Sequence, residues 1–176
     1  DVYYNQVKDK IVAIPNKNLF VWSMLNFGKV AITGVDVQVF LENIILKHLK
    51  VETVINYTFQ QSIDISDKNS KSYKHQIPYT PLHTASGIVA LKTKYLNVSY
   101  SLLYTGKRYV LRQNIVENSL QPYTEHSIAL YRSFKIKASA INLRFEILNL
   151  TNKQYEIIRN YPMAGRQYQG KIIYQF

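Results

Sequence analysis

Apolar and polar side chains alternate with a period of two in eight segments of this chain, the pattern of strands that bury one face. The segments run over 2–14, 30–46, 48–64, 82–94, 95–110, 123–135, 138–150 and 167–176. In the fifth, Leu96, Val98, Tyr100, Leu102 and Tyr104 form one face, opposed by Asn97, Ser99, Ser101 and Thr105, with Leu103 the exception. The second sets Val35, Val37, Val39 and Leu41 against Asp36, Gln38, Phe40 and Glu42. The seventh sets Ile141, Leu143, Phe145 and Ile147 against Asn142, Arg144 and Glu146. The last sets Tyr168, Ile172, Tyr174 and Phe176 against Gln167, Gln169, Lys171 and Gln175. No segment carries a convincing helical period, so the expected fold class is all-β and antiparallel.

Such alternation suits a soluble barrel with its apolar face inside, or a membrane barrel with that face turned to lipid. The connections separate the two. Long ones at 15–29, 65–81, 111–122 and 151–166 alternate with short ones near Leu46–His48, Lys94–Tyr95 and Ile136–Lys137. Outer-membrane barrels keep short turns on the periplasmic side and long loops outside. With the long connections external, the final strand ends in the periplasm at Phe176, as such barrels do. Tyr57, Phe59, Tyr104, Tyr109, Tyr123, Phe134, Tyr168, Tyr174 and Phe176 fall near strand ends, where aromatic rings favour a lipid–water interface. Strand propensity alone explains part of that placement.

Charge strengthens the membrane orientation. Lys50, Glu52, Arg144, Glu146 and Lys171 lie on the polar faces, and enclosing those faces in a dry apolar interior would cost several kcal/mol for each unpaired charge. A polar lumen accepts them. The composition fits strands, with 15 Tyr, seven Phe and one Trp among 176 residues. Cysteine is absent, which excludes disulfides, thiolate metal sites and a cysteine nucleophile. The net charge of +11 is spread along the chain with no basic tail, and no aromatic–basic platform marks a nucleic-acid partner. The chain opens at Asp1 without a signal-peptide pattern, as a processed chain or a piece of a longer one would.

The C-terminal stretch Asn149-Leu-Thr-Asn-Lys-Gln-Tyr-Glu-Ile-Ile-Arg-Asn-Tyr-Pro-Met-Ala-Gly-Arg166, followed by a strand ending Ile173-Tyr-Gln-Phe176, resembles the last hairpin of TonB-dependent receptors. Ala164 stands where that family usually has Pro. Phe176, with Tyr174 and Ile172 at alternate positions, resembles the signal read by the barrel-assembly machinery. Gln76-Ile-Pro-Tyr-Thr-Pro-Leu-His83, Tyr104-Thr-Gly-Lys-Arg-Tyr109 and Asn26-Phe-Gly-Lys-Val-Ala-Ile-Thr-Gly-Val-Asp36 agree in order and spacing, most closely with receptors of the Bacteroidota type. The resemblance implies an antiparallel transmembrane β-barrel segment, about the last eight strands of a barrel of about 22. It implies that residues 1–176 lack the plug domain and the TonB box. It also implies an outer-membrane location and active uptake of a scarce nutrient, an iron–siderophore or cobalamin. The implied partners are outer-membrane lipid and lipopolysaccharide, the plug and remaining strands, TonB acting through the plug, and a small nutrient ligand.

Two competing readings remain at this level, a complete eight-stranded outer-membrane barrel with a structural or adhesive role and a soluble β-barrel binder. The soluble reading predicts a buried Leu96/Val98/Tyr100 face and solvent-facing Arg144 and Glu146. No serine elbow, phosphate loop or paired catalytic carboxylates appear, so no enzyme activity, catalytic residue or cofactor is expected. His48, His75, His83 and His126 lack metal-ligand spacing and read as strand-end and loop residues. The Asn56, Asn97 and Asn149 sequons read as chance matches inside strands, and Asp64 and Asp67 as solvated loop residues. Trp22, Tyr73, His75, Arg108, Arg112, Tyr155, Arg159, Tyr161 and Arg166 fall in the long loops. Bracing of the loops is favoured over ligand or lipopolysaccharide contact for them, so no binding residue is assigned.

Overall fold

The computed structural model describes residues 1–15 and 21–176. Among these residues, eight strands form one antiparallel meander: β1 (Val2–Pro15), β2 (Trp22–Leu46), β3 (Leu49–Asp64), β4 (His83–Thr93), β5 (Asn97–Thr105), β8 (Tyr123–Ile136), β9 (Ser139–Leu148) and β12 (Gln167–Gln175). Each pairs only with its neighbours in sequence, in the order β1-β2-β3-β4-β5-β8-β9-β12. Two small ladders stand apart in the long loops. They are β6 (Arg108–Tyr109) with β7 (Ser119–Leu120), and β10 (Glu156–Ile158) with β11 (Tyr161–Pro162). A 3-10 turn spans Val116–Asn118.

Register separates the two faces. One row of directly opposed residues runs Leu41–Thr53–Val89–Tyr100–Ile128–Ile147–Tyr168 across β2 to β12. The adjacent row, pointing the other way, runs Glu42–Glu52–Ala90–Ser99–Ala129–Glu146–Gln169. A shift of one residue therefore exchanges an apolar surface for a polar one. The apolar face stays open, with Val89, Leu91 and Tyr100 each about 40% exposed. The buried cluster is small: Phe27, Val30 and Ile77, with Val12, Leu25 and Ile32 against it. Both facts contradict the soluble barrel. β1 and β12 do not pair with each other, so these eight strands do not close into a complete small barrel.

Several charges of the polar face are paired. Lys50 Nζ lies 2.9 Å from both Glu42 and Glu52, and Lys92 Nζ lies 2.6 Å from Glu52. Glu42 and Glu52 are directly opposed, so Lys50 between them removes a like-charge repulsion. Arg144 and Glu146 form a second pair at 2.6 Å, with the guanidinium 5.8 Å from the Tyr131 ring. Asn56 donates to Ser86 at 3.2 Å, and Asn142 bonds Ser133 and Gln175.

Several expectations need correction. The connection placed at 15–29 is mostly strand, because β2 begins at Trp22 and pairs Leu25 with Val12 and Phe27 with Lys10. Its residues 16–20 lie outside the described residues. Asn26 and Gly28 have low strand propensity, yet they sit within an extended hairpin. The alternation slips there, so that Leu25 and Phe27 join Val30 and Ile32 on one face. Asp9, bracketed by the pairs Lys8–Lys29 and Lys10–Phe27, has a positive φ of 53°. β5 ends at Thr105 and not at 110. There the Gly106 N–H donates to the His83 carbonyl at 2.8 Å, and a Cβ on Gly106 would sit 2.8 Å from that same oxygen. Only glycine allows so close a turn, which directs the chain over the polar face.

The aromatic girdle is thinner than the sequence suggests. Tyr57, Phe59, Tyr104 and Tyr168 lie on the apolar face towards the loop end, and Phe134 and Tyr174 towards the turn end. Tyr123 is instead 7% exposed on the polar face, and Tyr109 belongs to β6 in the loop. Histidine joins the girdle: the Tyr57 hydroxyl is 2.8 Å from His83 Nδ1, and Tyr100 makes the same contact with His126 at 2.5 Å.

Candidate functional site at the outer loops

The long connections fold onto the polar face and bind one another through side chains acting on backbone. In the 65–82 loop, Gln76 accepts from the Ser62 N–H at 2.9 Å and donates to the carbonyls of Gln60 at 3.1 Å and Thr80 at 3.2 Å. Asn114, from the next loop, pairs with the Gln76 backbone in both directions, at 2.6 and 3.0 Å, as a neighbouring strand would. The Asn114 N–H also donates to His75 Nδ1 at 3.2 Å. Asp64 is 5% exposed and accepts from the Ser66 N–H at 2.9 Å, so it is a buried turn acceptor and not a solvated loop residue. Asp67 does stand exposed, accepting from the Asn69 N–H at 2.9 Å.

Arginines tie the loops together. Arg112 donates to the Asn26 carbonyl at 2.7 Å and lies 4.4 Å over the Phe27 ring, joining the 106–122 loop to the β1–β2 hairpin. Arg108 reaches the Glu156 carbonyl and the Ile157 carbonyl at 3.2 Å. Arg159 returns the connection to Glu117 and Ser119 carbonyls at 2.8 and 3.1 Å. Arg166 donates twice to the Leu150 carbonyl. Carbonyl oxygens at these distances give the planar fork several acceptors at once. Burial pushes the Arg108 guanidinium below its ordinary value, since no carboxylate offsets the desolvation.

The segment that carries the family resemblance is a structural knot. Asn149 and Asn152 adopt positive φ of 48° and 52°. Asn149, 2% exposed, exchanges hydrogen bonds with Lys153 at 2.8 and 2.9 Å, and the Asn152 side chain accepts from the Arg166 N–H at 2.9 Å. A Cβ on Gly165 would approach that Asn152 oxygen to 2.6 Å. The Tyr155 ring stacks on Tyr123 at 4.1 Å and its hydroxyl donates to Glu125. Burial, then that bond to Glu125, holds the Tyr155 phenol well above the usual range.

Among the loop residues singled out from the sequence, Arg108, Arg112, Arg159 and Arg166 all brace backbone carbonyls. Trp22 lies in β2, 44% exposed, beside Tyr79 and Ile157. Sequence reasoning missed Gln76, Asn114 and Tyr79. Their isolated polar or aromatic side chains carry no periodic signal, although Gln76 and Tyr79 open and close the Gln76-Ile-Pro-Tyr run. The histidines stay apart, with His48 in the β2–β3 turn, and no group of three potential metal ligands forms among the described residues.

A family model for the TonB dependent receptor-like β-barrel matches residues 1–150. The chain belongs to this family. No curated protein matches the sequence. Solved receptors share the fold. BauA, the ferric preacinetobactin receptor from Acinetobacter baumannii, superposes with a TM-score of 0.74 at 19% identity over 99% of this chain and 26% of its own. Fiu, the ferric-catecholate import receptor from E. coli K12, gives 0.66 at 16% identity over 95% of this chain and 23% of its own. FyuA, the ferric yersiniabactin uptake receptor from Yersinia pestis, gives 0.62 at 16% identity over 99% of this chain and 27% of its own. The TonB-dependent receptor barrel segment thus spans about a quarter of each of these chains. Its unpaired β1 and β12 edges fit that share, since a barrel wall of eight strands needs further strands at both edges.

Proposed function

We propose that this barrel segment serves an outer-membrane receptor that takes up a scarce nutrient, with an iron chelate favoured over cobalamin. The observation that carries the reading is the division of the sheet into an apolar face for lipid and a polar, ion-paired face for a lumen. A polar inner face suits a lumen, and the unpaired β1 and β12 edges exclude closure of these eight strands into a small side-chain-filled barrel. The similar solved receptors are described by ferric ligands, which is why iron comes first. In this reading residues 1–176 are part of the barrel wall, and the plug and TonB contact lie elsewhere in the receptor. Outer-membrane lipid and lipopolysaccharide meet the apolar face, and the receptor transports without performing chemistry.

Deletion of the full-length receptor gene tests it, by following uptake of a panel of radiolabelled ferric chelates and of cobalamin in iron-limited cells. Loss of one ferric chelate, restored by the gene and abolished without TonB, is the expected result. Loss of cobalamin uptake alone would move the substrate assignment, and unchanged uptake of every compound would sink the transport reading.

A further inference from the structure

A cavity of about 300 Å3 lies where the β1–β2 hairpin meets the 65–82, 106–122 and 149–166 loops, walled by Trp22, Tyr79, Arg108, Tyr123, Ile157 and Ile158. Most of that wall is apolar or aromatic. Two of its members carry polar atoms without partners. Arg108, 3% exposed, engages two carbonyls through one terminal nitrogen, while Nη1 bonds nothing among the described residues. The Tyr79 hydroxyl is buried and makes no hydrogen bond of full geometry among the described residues; the Arg159 backbone N–H faces its oxygen, which leaves the phenol O–H as a donor.

A buried guanidinium with an idle N–H is costly, and arginine can only donate. Whatever relieves it must bring an acceptor. The charges around Tyr79 are Arg108, Arg159 and Glu156, a surplus of one positive charge, and the Glu156 carboxylate is already engaged by the Asn160 N–H at 3.0 Å. An anionic oxygen that reached both Arg108 Nη1 and the Tyr79 hydroxyl would satisfy two donors of the same cavity and supply the missing counter-charge. The aromatic wall at Trp22 and the aliphatic ones at Ile157 and Ile158 suit a flat apolar body behind it, and the volume suits a single ring.

We propose that this cavity binds the carboxylate end of a small aromatic acid, held by Arg108 and Tyr79. The site rests on the receptor reading only in where it lies, at the outer mouth of a barrel. Its test reads equilibrium binding, so it stands or falls separately from uptake.

The experiment is calorimetric titration of the detergent-purified full-length receptor with benzoate, and with benzamide as the uncharged isostere. Benzoate should bind with a Kd on the order of 1 mM, and benzamide roughly tenfold or more weaker. Tyr79→Phe removes one oxygen and keeps the ring; it should weaken benzoate roughly tenfold and benzamide less, because a charged acceptor loses more than a neutral one. Ala13→Phe fills the cavity from β1 without touching either donor, and should abolish benzoate binding while heat-modifiable mobility shows an intact barrel. Equal affinity for benzoate and benzamide overturns the proposal. So does benzoate binding that survives Ala13→Phe in the folded variant, or the absence of saturable binding to the unaltered receptor.

Discussion

Ile88 and Val89 stand side by side in β4, alike in polarity and nearly alike in size, 47% and 39% exposed. Register puts them on opposite faces. Val89 lies in the apolar row with Thr53 and Tyr100, while Ile88 opposes Val54 and Ser101 on the ion-paired side. Both sit near the middle of an 11-residue strand, about the length that crosses a bilayer. An arginine facing lipid at mid-depth costs about 2–4 kcal/mol. Val89→Arg should therefore lower the folding equilibrium roughly 30- to 800-fold. Ile88→Arg enters a polar surface and loses only partial contact with Val54, a cost of about 1 kcal/mol or less. Guanidinium titration of the full-length receptor folded in phosphatidylcholine vesicles measures both against the parent. Equal costs, or a larger cost at Ile88, would refute the assignment of faces and revive a soluble or inverted barrel.

Other outcomes follow from contacts at the turn and loop ends. Lys50→Ala leaves Glu42 and Glu52 directly opposed, and should cost about 1 kcal/mol; a double-mutant cycle with Glu52→Gln should show positive coupling, and additivity would deny the pair. Gly165→Ala forces a Cβ against the Asn152 oxygen and should cost about 1–2 kcal/mol through the bond from the Arg166 N–H, read as faster proteolysis of the 149–166 loop. Arg112→Ala should speed hydrogen exchange in the 106–122 loop and at β1–β2 while β9 and β12 stay protected. The Tyr155 phenol is raised, so the stability it lends is complete below about pH 10 and is lost only as pH climbs through its higher folded value. Absorbance titration near 295 nm should show no Tyr155-dependent step around pH 10 when parent and Tyr155→Phe are compared.

Faces were readable because strand side chains alternate strictly, so the Val35/Val37/Val39 and Ile141/Leu143/Phe145 series mark lipid-facing positions without reference to partners. Hairpin order was readable because each short turn, such as Lys94 to Leu96, leaves no room for another connection. The start of β2 was not, since Asn26 and Gly28 discourage strands locally and are outweighed by pairing with β1 and burial of Phe27 under Ile77 and Arg112. Inward Tyr123 was misplaced because propensity and interface preference both favour tyrosine at a strand end. Its phase in β8, odd against the even apolar positions Ile128 and Phe134, turns it inward, and the stack with Tyr155 covers it there. The loop cavity was not legible, because Ala13, Tyr79, Arg108 and Ile157 come together through tertiary contacts that have no period.

The nearest-neighbour meander has an evolutionary consequence. Every ladder joins consecutive strands, so an entire hairpin is a unit that can be gained or lost without rethreading any other. Because each hairpin carries one short turn and returns the chain to the side it left, such an event preserves which residues meet lipid and which side bears the loops. Recombination between related genes can therefore exchange outer loops when β-strand register is kept and loops that brace one another, as through Asn114–Gln76 and Arg159–Glu117, move together. Diversity outside the cell and constancy within the membrane follow from one rule of pairing.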